Sequence, residues 1–201
     1  SSPADPNVLG RLKIPGYSDY LHPFGEGFLI GVGKETVEAE EGDFAWYQGV
    51  KVSLFDVREF ENPTEISKLI IGDRGTDSPV LRDHKAFLLD MGRGLLVMPV
   101  LVAKIDPSEY PYGVPANAYG EYVWQGAYVL GISAEDGIEA LGRIGHLEDE
   151  GEMLKSGYYF ESMYSVKRAL YINDVLYTIS EGLVKANDIS TLQELNALDL
   201  S

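Results

Sequence analysis

The chain has 201 residues, of which 45% are hydrophobic, 11% aromatic and 24% charged, so it contains enough apolar material for a folded core. Its formal net charge of −16 at pH 7 disfavours duplex nucleic acid as a partner, because Lys and Arg are the residues that bind phosphates. The absence of cysteine excludes disulfides and Cys-ligated zinc. The apolar runs are shorter than the roughly 18 residues of a membrane helix, so we expect no membrane insertion by this chain.

The first predicted strands follow a fixed order. A strand at Val8 to Ile14 has no predicted partner before it. A hairpin is expected at Asp19 to Gly33, because Gly25-Glu26-Gly27 suits a tight turn. A β-branched and aromatic run follows Gly49, and a second run covers Glu65 to Ile70. These four strands after the isolated one form a candidate repeat unit.

The same order of elements returns twice along the chain. Each return has a hairpin, a strand that begins at a glycine, and a closing strand. The members are His84 to Val100, Gly126 and Glu139 to Ile144 in the first return, and Lys167 to Ser180, Gly182 and Gln193 to Leu198 in the second. Four antiparallel strands that recur at roughly 40 to 50 residues, plus insertions, indicate the blades of a β-propeller.

The predicted fold is therefore all-β: a partial β-propeller with one outer strand plus three four-stranded antiparallel blades, about thirteen strands in total. The alternative is an ordinary β-sandwich with coincidental similarity between its strands. We expect a single domain that spans 1–201, divided into an orphan outer strand at 1–15 and blades at 16–72, 73–146 and 147–201.

Several segments resemble the prokaryotic secreted proteins with a C-terminal β-propeller domain. The segments are Gly16 to Pro23, Val50 to Pro63, Ile71 to Thr76, Asp83 to Phe87 and Lys167 to Ser180. The resemblance covers nearly the whole chain and implies an extracellular or cell-surface protein without established catalytic residues. No signal segment is recognised in this chain, so we expect any secretion signal to lie outside it.

This chain departs from the resembling proteins in length, because they contain a full ring of blades. A propeller closes with about four to eight blades. We therefore expect a piece from the C-terminal half of a larger propeller, whose remaining blades pack against this one. The alternative is self-association, in which two chains complete a ring of about six blades.

The long connections are predicted to gather on one side of the blades. Within each a–b–c–d unit, only the b–c and d–a connections are long, and in a propeller these two emerge on the same face. The four segments are 34–47, 72–83, 103–125 and 146–164, with net charges of −4, −1, −2 and −4. Insertions on one side of a repeat protein commonly form its binding face.

Aromatic and charged side chains in these segments are the predicted binding residues. The binding-face candidates are Trp46, Tyr47, Asp73, Arg74, Tyr112, Tyr122, Trp124 and Tyr159. Rings beside carboxylates suit a glycan, and an acidic surface suits a basic protein. Arg74, between two aspartates, is expected to hold its loop through charge-assisted hydrogen bonds. The alternative interpretation is an acidic, solvated surface whose tyrosines pack the loops onto the blades.

Two further groups of polar residues are candidates for a local role. Asp19, His84 and Lys167 fall at corresponding places near the start of strand a, so they are expected to form a polar ring at the mouth of the central channel. No cofactor is expected, but two acidic runs offer oxygen ligands of the kind that calcium prefers. These weak calcium candidates are Glu40, Glu41, Asp43, Glu148 and Asp149.

The sequence favours a non-catalytic binding or interaction scaffold of a secreted or surface protein, which uses the acidic, aromatic-rich loop face to bind a protein or a glycan. An alternative is an extracellular, glycan-directed hydrolase in which loop carboxylates act as acid and base. A third interpretation is a purely structural domain within a longer protein.

Overall fold

The computed structural model describes residues 4–147 and 160–201, and these form three four-stranded antiparallel sheets. Blade 1 has the strand order β1-β2-β3-β4, and blades 2 and 3 have the orders β5-β6-β7-β8 and β12-β11-β10-β9. The strands are β1 Tyr17–Pro23, β2 Phe28–Glu38, β3 Ala45–Asp56, β4 Thr64–Ile71, β5 Leu88–Asp90, β6 Leu95–Lys104, β7 Glu121–Ser133, β8 Gly137–Ile144, β9 Arg168–Ile172, β10 Val175–Ile179, β11 Leu183–Asp188 and β12 Glu194–Asp199.

The predicted partial propeller is confirmed by these sheets, and the three glycines occupy equivalent positions. The residue after each glycine pairs with the last residue of the blade's outer strand. The pairs are Val50 with Ile71, Ala127 with Ile144 and Leu183 with Asp199. A shared register at the same point of three sheets is the structural expression of the repeat.

The first of these glycines is needed because two backbones meet there. A Cβ on Gly49 would lie 2.3 Å from the carbonyl oxygen of Gly72 and 2.5 Å from that of Ile71. We expect Gly49→Ala to lower the free energy of unfolding by about 2–4 kcal/mol, because backbone cannot move aside as a flexible side chain can. Gly131→Ala is the matched strand control, where the nearest atom belongs to the Glu139 side chain at 3.3 Å. Equal urea midpoints for the two variants would contradict this account.

The blades are held together by two apolar layers. Between blades 1 and 2, the fully buried side chains include Ile30, Val52 and Met98. Between blades 2 and 3, Val97, Val129 and Leu176 are fully buried. Their alternation along the strands places every second side chain in a layer, as expected for stacked sheets.

The predicted orphan outer strand is wrong in detail, because residues 4–16 contain no strand. No strand in the described residues pairs with this segment, so it lacks the neighbour that a ladder requires. It lies instead against the free face of blade 1. Gly10 approaches the carbonyl oxygens of Phe60 and Glu61, and the Pro15 carbonyl accepts a 2.5 Å hydrogen bond from the buried Lys51 ammonium.

The connections also differ from the predicted loops in two places. The expected loop at 34–47 is largely an extension of the β2–β3 hairpin, since Val37 pairs with Trp46. His84 does not begin an inner strand; it opens a 3-10 turn, His84–Ala86, which the side chain of Asp83 caps. A second 3-10 turn, Pro79–Leu81, precedes it in the same connection.

Among the described residues, no helix has the length and apolar character needed to span a membrane.

Candidate functional site

A cavity of about 640 Å³ opens on the loop face, at the junction of blades 1 and 2. We call it the tyrosine cavity, because four of its eight lining residues are tyrosines. It is lined by Tyr17, Lys34, Tyr47, Gly75, Thr76, Asp77, Tyr119 and Tyr122. Strands of both blades and the connection between them contribute side chains, so stacking of the two blades creates the cavity. Its volume falls within the range of about 300–1,000 Å³ that is typical of ligand sites.

A buried arginine holds the aromatic wall in place. The Arg74 guanidinium carbon lies 4.7 Å from the Trp46 ring centroid, 4.3 Å from that of Tyr47 and 4.5 Å from that of Tyr119. The arginine is only 6% exposed, and its Nε has no hydrogen-bond partner. The guanidinium is held by cation–π contact with the three rings and by a 3.5 Å hydrogen bond from its Nη1 to the Tyr47 carbonyl oxygen. Gly75, with φ +110°, lets the chain turn immediately after this arginine.

Two of these tyrosines are joined through their hydroxyl groups. Tyr47 and Tyr119 hydrogen-bond to each other, and their rings meet edge to face with centroids 6.3 Å apart. The hydrogen bond with Tyr47, together with the nearby Arg74 cation, lowers the pKa of Tyr119. The same hydrogen bond raises the pKa of Tyr47. The pair is thus fixed in orientation before any ligand arrives, which lowers the entropic cost of binding.

Lys34 supplies a cation in the cavity wall. Its ammonium donates a hydrogen bond to the Thr76 carbonyl and lies 3.9 Å from the Asp77 carboxylate. Burial lowers the pKa of Lys34, whereas the charge of Asp77 acts in the opposite direction. Desolvation of an ammonium disfavours its charged form. The Thr76 carbonyl and the Asp77 carboxylate compensate for part of this cost.

Asp77 links the tyrosine cavity to a second cavity. Its carboxylate accepts two hydrogen bonds from the Arg82 guanidinium, at 3.3 and 2.6 Å. The second cavity, of about 290 Å³, lies between blades 2 and 3 and also has Asp77 in its wall. It is lined by Asp77, Pro79, Arg82, Leu101, Gln125, Phe160, Glu161, Ser162, Ser165, Val166 and Lys167. The two cavities are therefore neighbours that share one carboxylate.

The structure brings four of the predicted binding residues together: Trp46, Tyr47, Arg74 and Tyr122 all contribute to the tyrosine cavity or to the wall behind it. The ion pairs expected from Arg74 to its neighbouring aspartates are wrong, since the three rings surround this guanidinium instead. Asp73 does hold the loop, because its carboxylate accepts a 2.9 Å hydrogen bond from the Ile105 amide.

The other predicted binding residues lie elsewhere. Trp124 packs edge to face on Tyr128, at 5.3 Å between centroids, and beneath Arg143 within blade 2. Tyr112 is fully exposed on the connection between β6 and β7. Tyr159 lies outside the described residues, as do the calcium candidates Glu148 and Asp149.

The candidates for the channel mouth contact different partners. Asp19 lies at the bulge in β1. Its pKa is raised by partial burial, although the charge of Lys34 acts in the opposite direction. The His84 ring stacks on Tyr20 with centroids 6.2 Å apart. The Lys167 ammonium binds the Glu181 carboxylate at 2.5 Å. We infer separate local contacts here rather than one polar ring.

The first acidic run lies on the exposed tip between β2 and β3. Glu40, Glu41 and Asp43 all fall between the end of β2 at Glu38 and the start of β3 at Ala45. Within 4–147 and 160–201, no group of three or more acidic or histidine side chains is arranged to hold a metal ion.

Sequence reasoning missed Lys34, Tyr17, Thr76 and Asp77 as members of the site. Lys34 is the single base within a segment that has five acids, and that isolated charge was the one available signal. Thr76 and Asp77 follow Arg74 closely, but their role depends on how blade 2 packs on blade 1.

The fold and the cavities define a β-propeller with a preformed pocket at a blade junction. The Beta propeller domain family matches residues 1–192, and the chain belongs to that family. It is 32% identical over 179 residues to an uncharacterised protein of Methanocaldococcus jannaschii, covering 89% of this chain and 20% of the relative. It is also 28% identical over 200 residues to an uncharacterised protein of Archaeoglobus fulgidus, covering 100% and 23%. The chain thus spans about a fifth of the length of these relatives.

Proposed function

We propose that this chain is a non-catalytic binding scaffold and that its ligand site is the tyrosine cavity. The observation that carries the proposal is the buried Arg74, which fixes Tyr47 and Tyr119 as a rigid wall of a cavity that is large enough for a ligand. A β-propeller commonly serves as a scaffold for binding, which agrees with this role. The resemblance noted above supports a secreted or cell-surface setting.

A fragment screen tests this function without knowledge of the ligand. The 201-residue chain, labelled with carbon-13 in its tyrosine side chains, is mixed with small polar fragments that include sugars, amino acids and nucleosides. We expect hits that shift the ring signals of Tyr47 and Tyr119, and the loss of these hits in Tyr119→Ala. Tyr112→Ala, at a fully exposed ring outside the cavity, is the matched control and should bind normally. Hits that leave both ring signals unchanged, or no hits at millimolar concentration, would overturn the proposal.

A second candidate function is glycan hydrolysis, which the electrostatic interaction between the Asp19 and Asp77 carboxylates favours. Asp77 lies in the long connection between blades, and its charge contributes to the raised pKa of Asp19. An acid with a raised pKa beside an ionised carboxylate is the pairing that glycosidases use. Binding without chemistry is the preferred function, because Arg82 occupies both oxygens of Asp77. Release of reducing ends from a neutral polysaccharide, abolished by Asp19→Asn, would reverse this preference.

We further propose that the free face of blade 3 is where the ring continues, through the rest of a longer protein or a second copy. Leu195 and Leu198 on its outer strand are 58% and 61% exposed. Ile172, at the end of the inner strand, is 57% exposed. Exposed apolar side chains on a sheet face favour a packed neighbour.

A further inference from the structure

The chemical class of the ligand can also be inferred, and this inference rests on the proposed function. The two cavities meet at Asp77, which lines both of them. Two backbone hydrogen bonds between Asp77 and Leu101 fix Asp77 against β6. Asp77 therefore forms a stable boundary between the two cavities. A ligand longer than one cavity would pass over Asp77 and extend along the loop face across both blade junctions.

Aromatic rings stand in both halves of this groove. Tyr47 and Tyr119 provide ring surface in the tyrosine cavity, and Phe160 lies in the wall of the second cavity. The C–H face of a pyranose is apolar and flat, so it packs on such rings while its hydroxyl groups remain at the edges. Arg74 holds the first two rings from within the protein, so little side-chain freedom remains to be lost when a sugar stacks.

The charges in the groove favour an uncharged chain. The charged residues that line the two cavities are Lys34, Asp77, Arg82, Glu161 and Lys167. Asp19 interacts with Lys34, Arg82 and Asp77, so three cations accompany three carboxylates. The groove is therefore locally balanced, whereas the chain as a whole carries a net charge of −16 that repels polyanions. Charged side chains that are already paired can still accept from, or donate to, the hydroxyl groups of a neutral sugar.

A peptide is less well matched to the tyrosine cavity. Lys34 and Tyr47 belong to paired strands, so their backbone groups are engaged in the β2–β3 ladder. They contribute side chains to the cavity instead of the open strand edge on which a peptide adds as a further strand. The hydroxyl groups and ring faces of the lining tyrosines match the polar edges and apolar faces of sugar rings.

We propose that the two cavities form one groove that binds an extended chain of neutral sugars, with Tyr47 and Tyr119 as the first stacking platform and Phe160 as the second.

Calorimetry on the 201-residue chain tests the proposal, with neutral cello-, manno- and chito-oligosaccharides of one to six units as probes and oligogalacturonate as the acidic comparison. We expect at least one neutral series to bind, with affinity rising about tenfold between two and four units as the second cavity is reached. Oligogalacturonate is expected to bind at least about tenfold more weakly, because of the negative charge of the protein.

Variants separate the two platforms. Tyr119→Ala should weaken binding at every length by about tenfold, and Phe160→Ala should weaken only the longer chains. Tyr112→Ala is the control and should bind like the parent, and thermal melts establish that each variant is folded. Affinity that does not change with length, or equal binding of oligogalacturonate, would overturn the extended neutral groove. Failure of every neutral series would also overturn it, whereas fragment hits at Tyr47 and Tyr119 would leave the proposed binding function intact.

Discussion

Arg74→Ala is expected to lower the free energy of unfolding by about 2–4 kcal/mol. The variant removes three cation–π contacts at once and leaves a void between Trp46, Tyr47 and Tyr119. Arg74→Lys should recover only part of the loss, because a compact ammonium cannot cover three rings as a planar guanidinium does. Urea unfolding followed by tryptophan fluorescence gives the measurement.

Arg58→Ala is the matched control for this experiment. Arg58 also lies over a ring, with its guanidinium carbon 4.9 Å from the Phe28 centroid, and its side chain is 65% exposed. We expect a much smaller cost there than at Arg74, since exposed ion pairs and cation–π contacts are weak in water. If Arg74→Ala costs no more than this control, the arginine does not organise the aromatic wall.

The second large effect is a loss of stability in mild acid that originates at His146. Its ring is 3% exposed and lies between blades 2 and 3, with Nδ1 2.9 Å from the Ser180 hydroxyl and Nε2 2.8 Å from that of Thr178. Burial lowers the pKa of His146 to about 4, and the nearby Lys185 contributes in the same direction, whereas Glu194 opposes it. The folded protein therefore holds this imidazole neutral.

Because the unfolded chain takes up a proton near the ordinary pKa of 6.5, lowering the pH from about 6.5 to 4 favours unfolding. The full stability is present above pH 6.5, and the loss approaches at most about 3 kcal/mol near pH 4. His146→Gln, which keeps hydrogen-bonding groups but does not titrate, should show a flatter profile across this range. His22 and His84 are present in both proteins, so the difference between the two profiles reports on His146. Parallel profiles would show that the histidine is not buried as described.

The sequence was sufficient to predict the blades because their signals are local. Turn residues at Gly25 to Gly27 and at Asn173-Asp174 define hairpins that the structure contains. Gly49, Gly126 and Gly182 marked the repeat, because each precedes a residue that pairs with the end of an outer strand. The isolated strand at Val8 to Ile14 is predicted from its likeness to the closing strand of the repeat, but a strand also depends on a partner that no local pattern reveals.

The site was only partly predictable, since it depends on contacts between blades. Trp46 and Tyr47 were recognised from their place in an aromatic-rich segment, although they lie in a strand and not in a loop. Arg74 was assigned to its sequence neighbours, the aspartates, whereas its contacts come from rings that are distant along the chain. Lys34 and Tyr119 line one cavity only because the two blades stack, and their spacing along the sequence does not indicate this.

The two outward faces of the three described blades are chemically unlike. At the blade 1 end, segment 10–16 already lies over the sheet, and the Lys51 ammonium beneath it is within 3.8 Å of the Glu65 carboxylate. These charges already have partners within the chain, whereas blade 3 exposes the apolar side chains of Ile172, Leu195 and Leu198. If the ring continues as proposed, a neighbour on the free face of blade 3 gains more apolar contact than one on the covered face of blade 1.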